Sequence, residues 1–263
     1  MKKIKFRAYS LLGNIALVNF SRNVKAKEKK EFAKKILEDN KSVKTVLEKV
    51  GKFKGRLRKI STKHVAGEKT KEVLYSENGC FFRFNIDTTY FSPRLSNERK
   101  EIASLIKKNE KVLVMFAGVA PFSIVIAKNS GAYVVSNELN KEANKYGRLN
   151  IGRNKLNDRI ELIDGDIKKV AKRLGREKRR FDVIVMPRPQ LKDSFLEQAF
   201  ILSKKNTRIY YYDFCKAEEI NKIIEKIKQE ASKHKKKIKI LKTKKAGEIA
   251  PYKIRVRVDF KII

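Results

Sequence analysis

Between Tyr90 and Arg99 the chain reads Tyr-Phe-Ser-Pro-Arg-Leu-Ser-Asn-Glu-Arg, one carboxylate and two guanidinium groups where a helix begins. Ser92 followed by Pro93 is a helix-start pair, with Ser92 as N-cap and Pro93 in the first turn. Leu95, Ile102, Leu105 and Ile106 define an apolar face, and Glu98 and Arg99 occupy the rung between them. Polar groups on a packing face cost free energy unless they are partnered. Two readings stay open for this rung. Arg94 and Glu98 form an i,i+4 surface pair, worth about 0.3 kcal/mol, or Glu98 is a half-buried general base that takes a proton from a substrate.

A second chemical element follows. Val112–Met115 reads as a buried strand that runs into the small-residue loop Phe116-Ala117-Gly118-Val119-Ala120-Pro121. Gly118 sits where the chain passes close to a ligand, and Pro121 suits a first helical position whose amides face a cofactor. Glu138, at the end of the next strand, is placed to accept bonds from ribose hydroxyls, and Asp166, after the third, to meet an adenine amino group. Each has a plainer alternative: an exposed loop carboxylate for Glu138 and a helix N-cap for Asp166. The two acids and the loop in register favour the cofactor reading. The missing GxGxxG pattern argues against NAD and towards S-adenosylmethionine.

These groups need elements to hold them. Residues 14–20 read as a strand, Lys25–Asp39 as an amphipathic helix and Val43–Val50 as a second strand, followed by the basic segment Lys52–Lys63 and a turn at Gly67. This predicts a small α+β domain over residues 1–70. Glu72–Ser76 and Cys80–Asp87 flank Asn78-Gly79, a strong hairpin signal. Strands are then expected at Lys111–Phe116, Ala132–Asn137, Arg159–Ile163, Asp182–Met186 and Thr207–Tyr212. Helices are expected near Pro121–Lys128, Lys141–Arg153, Ile167–Leu174, Leu191–Leu202 and Lys216–Lys233, and late strands near Lys237–Thr243 and Tyr252–Ile262. Five βα units closed by an antiparallel pair predict an α/β fold over residues 71–263: a Rossmann-like, mostly parallel sheet of the class I methyltransferase type, preceded by the hairpin and a linker helix.

Composition narrows the partner. The 263 residues, 41% hydrophobic, can bury a proper core, yet 65 Lys and Arg against 29 Asp and Glu give a formal charge of +36. Such a surplus opposes compaction and predicts a polyanionic partner, nucleic acid ahead of a membrane. No apolar run has the length of a membrane-spanning helix, and Leu11-Leu12 is followed at once by Gly13-Asn14, which argues against a signal peptide. Two cysteines, Cys80 and Cys215, and two histidines, His64 and His234, make neither a zinc site nor a disulfide framework. A cytoplasmic protein without a metal is expected.

YFSPRLSNER followed by MFAGVAPFSI resembles the archaeal and eukaryotic tRNA guanine-37 N1-methyltransferases, a class I S-adenosylmethionine family. LLGNIALVNF, VKTVLEKV, the Gly55–Gly67 stretch ending HVAG and the closing IAPYKIRVRVDF fall in the family's order, so the resemblance runs from about residue 9 to the end. It implies methyl transfer from S-adenosylmethionine to N1 of guanosine 37, beside the anticodon of a tRNA. That reaction needs a base for N1–H, a donor for the charge that spreads onto O6, and the sulfonium held in line. By position, Glu98 matches the family's general base, Arg58 the arginine that stabilises O6, and Tyr90 the aromatic beside methyl donor and base. Arg94 and Arg99 match arginines that organise the pocket and the anticodon-loop phosphates. Gly118, Glu138 and Asp166 match cofactor positions, with Phe116, Pro121 and Met186 beside them; Glu138 stands where an Asp is common.

Pro187-Arg188-Pro189 stands in place of the family's Asn-Leu-Pro, whose Asn contacts the target guanine. Pro187 has neither an amide side chain nor a backbone donor, which leaves Arg188 as the candidate replacement. Val114 and Ala120 replace an Asp and a Gly usual in the cofactor loop. The family's tRNA-corner domain is expected to be absent, residues 1–70 resembling its second domain. Phosphate contacts from Lys52, Lys54, Arg56, Lys59, Lys63, Arg176, Lys178, Arg179 and Arg180 are expected to supply affinity instead. A monomer that binds a tRNA anticodon stem-loop is expected. Two alternatives remain: aminocarboxypropyl transfer in wyosine-type modification, kept open by the altered Pro187 motif, and a tRNA-binding protein with impaired catalysis, against which Glu98, Arg58 and Tyr90 argue.

Overall fold

A computed structural model describes residues 9–263, and within them the side chains of residues 52–54 lie outside the description. The chain divides into two compact units, one ending at Pro93 and the other running from Arg94 to Ile263. The Asn78-Gly79 hairpin, expected to lead the catalytic domain, therefore packs with the first unit.

In the first unit, β1 (Tyr9–Leu12) and β2 (Ile15–Val18) form a hairpin, and α1 (Ala26–Asp39) crosses over to β3 (Thr45–Lys54), parallel to β2. β4 (Lys59–Gly67) closes the sheet antiparallel to β3, in the order β1-β2-β3-β4. β1, too short to show alternation, was not expected. Ala33 and Ile36 of α1 bury against Ala16, Val18, Val43 and Val46, which is the face the helical spacing predicted. β5 (Glu72–Glu77) and β6 (Cys80–Asn85) pair about Asn78 and Gly79, whose φ of 49° and 71° fit a hairpin turn with two left-handed central residues. Asn14 clips the two hairpins together: its Nδ2 donates to Glu72 O at 3.1 Å, and its Oδ1 accepts from Leu74 N at 2.7 Å. The approach is so close that a Cβ at Gly13, itself at φ 56°, would lie 1.7 Å from Leu74 O.

A 3-10 turn at Pro93–Leu95 leads into α2 (Ser96–Ser104), the first helix of the second unit. The helix begins later than Ser92-Pro93 predicted, with Leu95 at its N-cap and no side-chain cap. Pro93 instead sets φ for the tighter turn. There follow β7 (Lys111–Met115), α3 (Pro121–Ser130), β8 (Tyr133–Glu138), α4 (Lys141–Arg153), β9 (Ile160–Asp164), α5 (Ile167–Arg176), β10 (Phe181–Met186), α6 (Leu196–Leu202), β11 (Ser203–Cys215), α7 (Ile220–Lys233), β12 (Ile238–Ala250) and β13 (Lys253–Ile262). The sheet order is β12-β13-β11-β10-β7-β8-β9. β7 to β11 run parallel, while β13 pairs antiparallel with β11 and β12 with β13. This is the expected mostly parallel sheet with an antiparallel end. The order reverses beside β7, which puts a ligand crevice at the carboxyl ends of β7 and its neighbours.

α6 starts five residues later than the sequence predicted. The intervening loop wraps the buried Arg188, whose Nη1 donates to the carbonyl oxygens of Pro189 (3.2 Å), Leu191 (3.0 Å) and Asp193 (3.0 Å). Those acceptors are unavailable to a helix, and Phe195 at φ 57° turns the chain into α6. Gly13→Ala forces a Cβ into backbone in a left-handed position and is expected to cost about 3 kcal/mol, read as a lowered urea midpoint; an unchanged midpoint would remove the clip from this account.

Candidate active site

The cofactor loop is a strained turn held by side chains. Phe116 (φ 57°), Gly118 (φ 58°) and Ala120 (φ 67°) all lie in the left-handed region, which costs about 1 kcal/mol or more at each non-glycine. Ala120 is the N-cap of α3, so a glycine there would avoid that cost. Glu138 spans the turn: its Oε2 accepts from Gly118 N at 2.8 Å and its Oε1 from Asn140 N at 2.7 Å. Burial raises its pKa against the lowering effect of those amide bonds. Asn137 ties β8 to the next loop, donating to Ile163 O (3.0 Å) and Gly165 O (3.1 Å). Asn144 donates to Glu138 O at 3.1 Å, and its buried Oδ1 has no partner. Asn150 donates to Val119 O at 3.2 Å, and a Cβ on Gly147 would lie 3.8 Å from that of Ala120. No sequence motif announced these asparagines; their clustering at the ends of β8 and along α4 was the available signal.

Asp166 is the N-cap of α5, accepting from Lys168 N at 2.9 Å, as its plainer reading had it. The Met186 side chain is wholly buried in the core of the sheet, which leaves it only its backbone to offer a ligand. Pro121 is buried at the start of α3, and Phe116 packs edge-on against Phe195, centroids 4.9 Å apart.

Glu98 is not paired with Arg94. It is 5% exposed, and its Oε2 accepts from Tyr212 Oη at 3.0 Å and from Arg257 Nη1 at 2.8 Å, while its Oε1 meets Lys244 Nζ at 2.9 Å. Strand register explains this convergence. Tyr212 of β11 and Lys244 of β12 both lie directly opposite Arg257 of β13, so the three side chains form one row across three antiparallel strands. Asp259, two residues on, shares the face and grips Arg257 with both oxygens, at 2.8 and 3.0 Å. Glu101, one helical turn after Glu98, accepts from Arg257 Nη2 at 2.7 Å and binds Lys244.

Arg257 has 0% exposure. Desolvation disfavours its charge, but the bonds to Asp259 and Glu101 outweigh that and raise its pKa. Glu101 is partly desolvated too, yet Lys244 and Arg257 hold its carboxyl down to about 2. Burial, then the Glu98 charge, pushes the Tyr212 phenol up, so it stays a donor. Tyr212, Lys244, Arg257, Asp259 and Glu101 were absent from the sequence-based site. The signal was present in Arg255-Val256-Arg257-Val258-Asp259, where charges alternate with β-branched residues in a strand buried on both faces.

The remaining candidates fall in different places. Arg58, at φ 52° in the turn before β4, lies over the Tyr90 ring with its guanidinium carbon 4.0 Å from the centroid, so the first unit brings these two together. Tyr90 is positioned by the turn before it, where Asn85 caps Asp87 and Thr88 (3.0 and 3.2 Å), and by Phe91, which stacks on Phe84 at 4.8 Å. Arg94 is exposed and makes no ion pair among the described residues. Arg99 is 1% exposed and lies over the Phe122 ring at 5.7 Å, which corrects its expected place among phosphate contacts. Arg188 is corrected as well. It is buried, paired with Asp213 and bonded to its own loop, so it does not stand in for the missing asparagine beside the half-buried Pro187 and Pro189. Arg179 is spent on Glu161 at 2.9 and 2.5 Å, and Arg180 on backbone carbonyls, whereas Arg56, Lys59, Lys63, Arg176 and Lys178 are exposed. The Lys52 and Lys54 side chains lie outside the described residues.

Arg257→Met leaves three carboxylates without their shared cation and is expected to cost about 3–5 kcal/mol. Arg257→Lys should recover little of this, because an ammonium cannot reproduce the fork. Urea unfolding measures both, and a near-neutral Arg257→Met would show the network to be dispensable. Glu101 titrates lower in the folded state than its ordinary 4.5, so its stabilisation is complete above about pH 4.5 and lost as pH falls towards 2. The stability gap between the protein and Glu101→Gln should therefore close over that window; a gap that widened on acidification would reverse the assignment.

Against known proteins, residues 73–241 match the TRM5/TYW2 methyltransferase domain and residues 2–70 the TYW2 N-terminal domain. A tRNA (guanine(37)-N(1))/4-demethylwyosine(37)-methyltransferase, Taw22 of Nanoarchaeum equitans, is 32% identical over 303 residues, spanning 97% of this chain and 100% of that protein. The crystal structure of Trm5b from Pyrococcus abyssi superposes with a TM-score of 0.84 at 32% identity, covering 97% of this chain and 74% of the other. A solved complex of aTrm5 with a leucine tRNA gives a TM-score of 0.83 at 28% identity, over 97% and 72% of the two chains. With the sheet order, the strained loop and these matches in agreement, the chain belongs to the TRM5/TYW2 methyltransferase family.

Proposed function

We propose that this protein transfers a methyl group from S-adenosylmethionine to N1 of guanosine 37 in tRNA. The observation that carries the reading is the setting of Glu98. Its Oε2 is fixed by Tyr212 and Arg257, while its Oε1 is held by Lys244, whose side chain is 34% exposed. A carboxylate anchored through one oxygen presents the other in a defined direction, as a general base requires. Lys244 is the partner that an RNA phosphate can draw away, since exposed ammonium groups exchange partners readily in water. Glu98 then takes the N1 proton at Oε1. Arg58, which lies over the Tyr90 ring within the first unit, is the candidate donor for the charge on O6 by its position in the family motif alone.

The cofactor loop fits the proposed donor. The Glu138 carboxylate accepts from the amides of Gly118, Asn140 and Leu139, which leaves one of its roughly four lone-pair sites for a ribose hydroxyl, and the buried Asn144 Oδ1 is an acceptor still unfilled. S-Adenosylmethionine supplies the electrophilic methyl group when bound. Gly118, Glu138 and the amides at the start of α3 are the groups that would hold it. The Trm5 complex with tRNA, at 28% identity, supports the choice of substrate.

A second reading, methyl transfer to 4-demethylwyosine at the same position, is supported by the double activity in the name of the Nanoarchaeum relative. One assay separates the readings. The protein is incubated with S-adenosylmethionine labelled on the methyl or on the aminocarboxypropyl group, using unmodified tRNA or tRNA carrying 4-demethylwyosine. Methyl label in 1-methylguanosine is expected. Label confined to the wyosine-type base would favour the second reading, and label from the aminocarboxypropyl group would overturn both. Glu98→Gln should lower kcat by about 10²–10⁴-fold while tRNA affinity stays within about twofold; full activity in that variant would sink the base assignment.

A further inference from the structure

A cavity of about 350 Å³ opens in the second unit beside the carboxyl ends of β10 and β11, away from the row that holds Glu98. Arg188, Lys192, Asp213, Cys215, Lys222 and Lys226 are among its lining residues. Their charges do not balance. Asp213 is consumed by Arg188 and by the Tyr211 hydroxyl at 2.9 Å, and the other lining carboxylate, Glu219, pairs with Lys222 at 3.0 Å. Lys192 and Lys226 make no ion pair among the described residues. Burial, helped by the charges of Asp213 and Glu219, raises the Cys215 thiol, so it adds no negative charge near neutrality. Arg188 Nε is buried and has no partner. The cavity wall thus carries two uncompensated positive charges and rests on a fixed guanidinium.

We propose that this cavity is an anion subsite that takes one phosphodiester of the RNA substrate. The inference rests on the tRNA reading above and adds a contact outside the reacting centre. Ligands of parallel α/β sheets bind outside the carboxyl ends of the strands, where this cavity lies. Two lysines and a buried arginine lining one cavity suit a single phosphate, because lysines bind phosphate as point charges without demanding a fixed angle. An acidic protein segment would meet the same charges, but a chain with a formal +36 favours a polyanion that spans many such points. The loop that expected Arg188 to read a base would then serve the backbone of the RNA, through Lys192.

The test is tRNA binding by the full chain across a salt series, comparing the protein with Lys192→Ala/Lys226→Ala and with Lys192→Arg/Lys226→Arg. The alanine pair should bind about 3–10-fold more weakly at moderate salt, and its slope of log K against log salt should fall by about 0.7–0.9, the loss of one phosphate contact. The arginine pair should restore both. Inorganic phosphate in the millimolar range should weaken tRNA binding by the protein more than by the alanine pair. Unchanged affinity and slope in the alanine pair would overturn the proposal, whatever else the cavity holds, an acidic peptide included. The readout is binding. If the protein bound tRNA with the predicted slope change but transferred no methyl group, the functional reading would fail and the subsite would stand; methylation with an unchanged slope would do the reverse.

Discussion

A guanidinium with no exposure to solvent, Arg257, holds Glu98, Glu101 and Asp259 at once. Burying such a charge costs several kcal/mol unless geometry and neighbouring bonds return it. Here the return comes from four bonds of 2.7–3.0 Å to three carboxylates. The constraint propagates in both directions. It locks α2 against the antiparallel end of the sheet, and it fixes one oxygen of the carboxylate proposed to accept the substrate proton. Two late strands that look peripheral to a dinucleotide-type sheet therefore become the support of the proposed base.

The turn that opens α3 solves a different problem. The turn after β7 puts three residues into left-handed backbone within five positions, two of them not glycine. Strain of that kind persists where surrounding structure over-determines it. Glu138 and the asparagines Asn137, Asn144 and Asn150 supply that support through backbone bonds. The loop is thereby shaped before any cofactor arrives, and the Ala120 that departs from the family's glycine is tolerated at a cost of about 1 kcal/mol.

Much of this was legible in the sequence because it rests on local periodicity. The alternation of buried strands and amphipathic helices from Lys111 to Lys233 predicted the order of elements, and Asn78-Gly79 predicted its hairpin. Glu98 was legible as a polar residue on a packing face, but its partners were not, since they lie more than a hundred residues away and meet it only through strand register. Arg188 was misread for the same reason. A guanidinium two residues past a strand end looks like a ligand contact until the fold supplies Asp213, twenty-five residues on, to bury it. The late start of α6 follows from that burial, because the loop's carbonyls solvate Arg188 instead of forming a helical turn.

The charge network and the proposed base meet at Lys244. It joins Glu98 and Glu101 in the structure, and the account requires it to yield one of them when RNA phosphates approach. A crystal structure of the protein with tRNA and a non-reactive analogue of the methyl donor is the most direct measurement. The account predicts Glu98 Oε2 still bound to Tyr212 and Arg257, Lys244 withdrawn from Oε1, and Oε1 within about 3 Å of guanine N1. A complex in which Lys244 remains on Glu98 and N1 faces another group would contradict it.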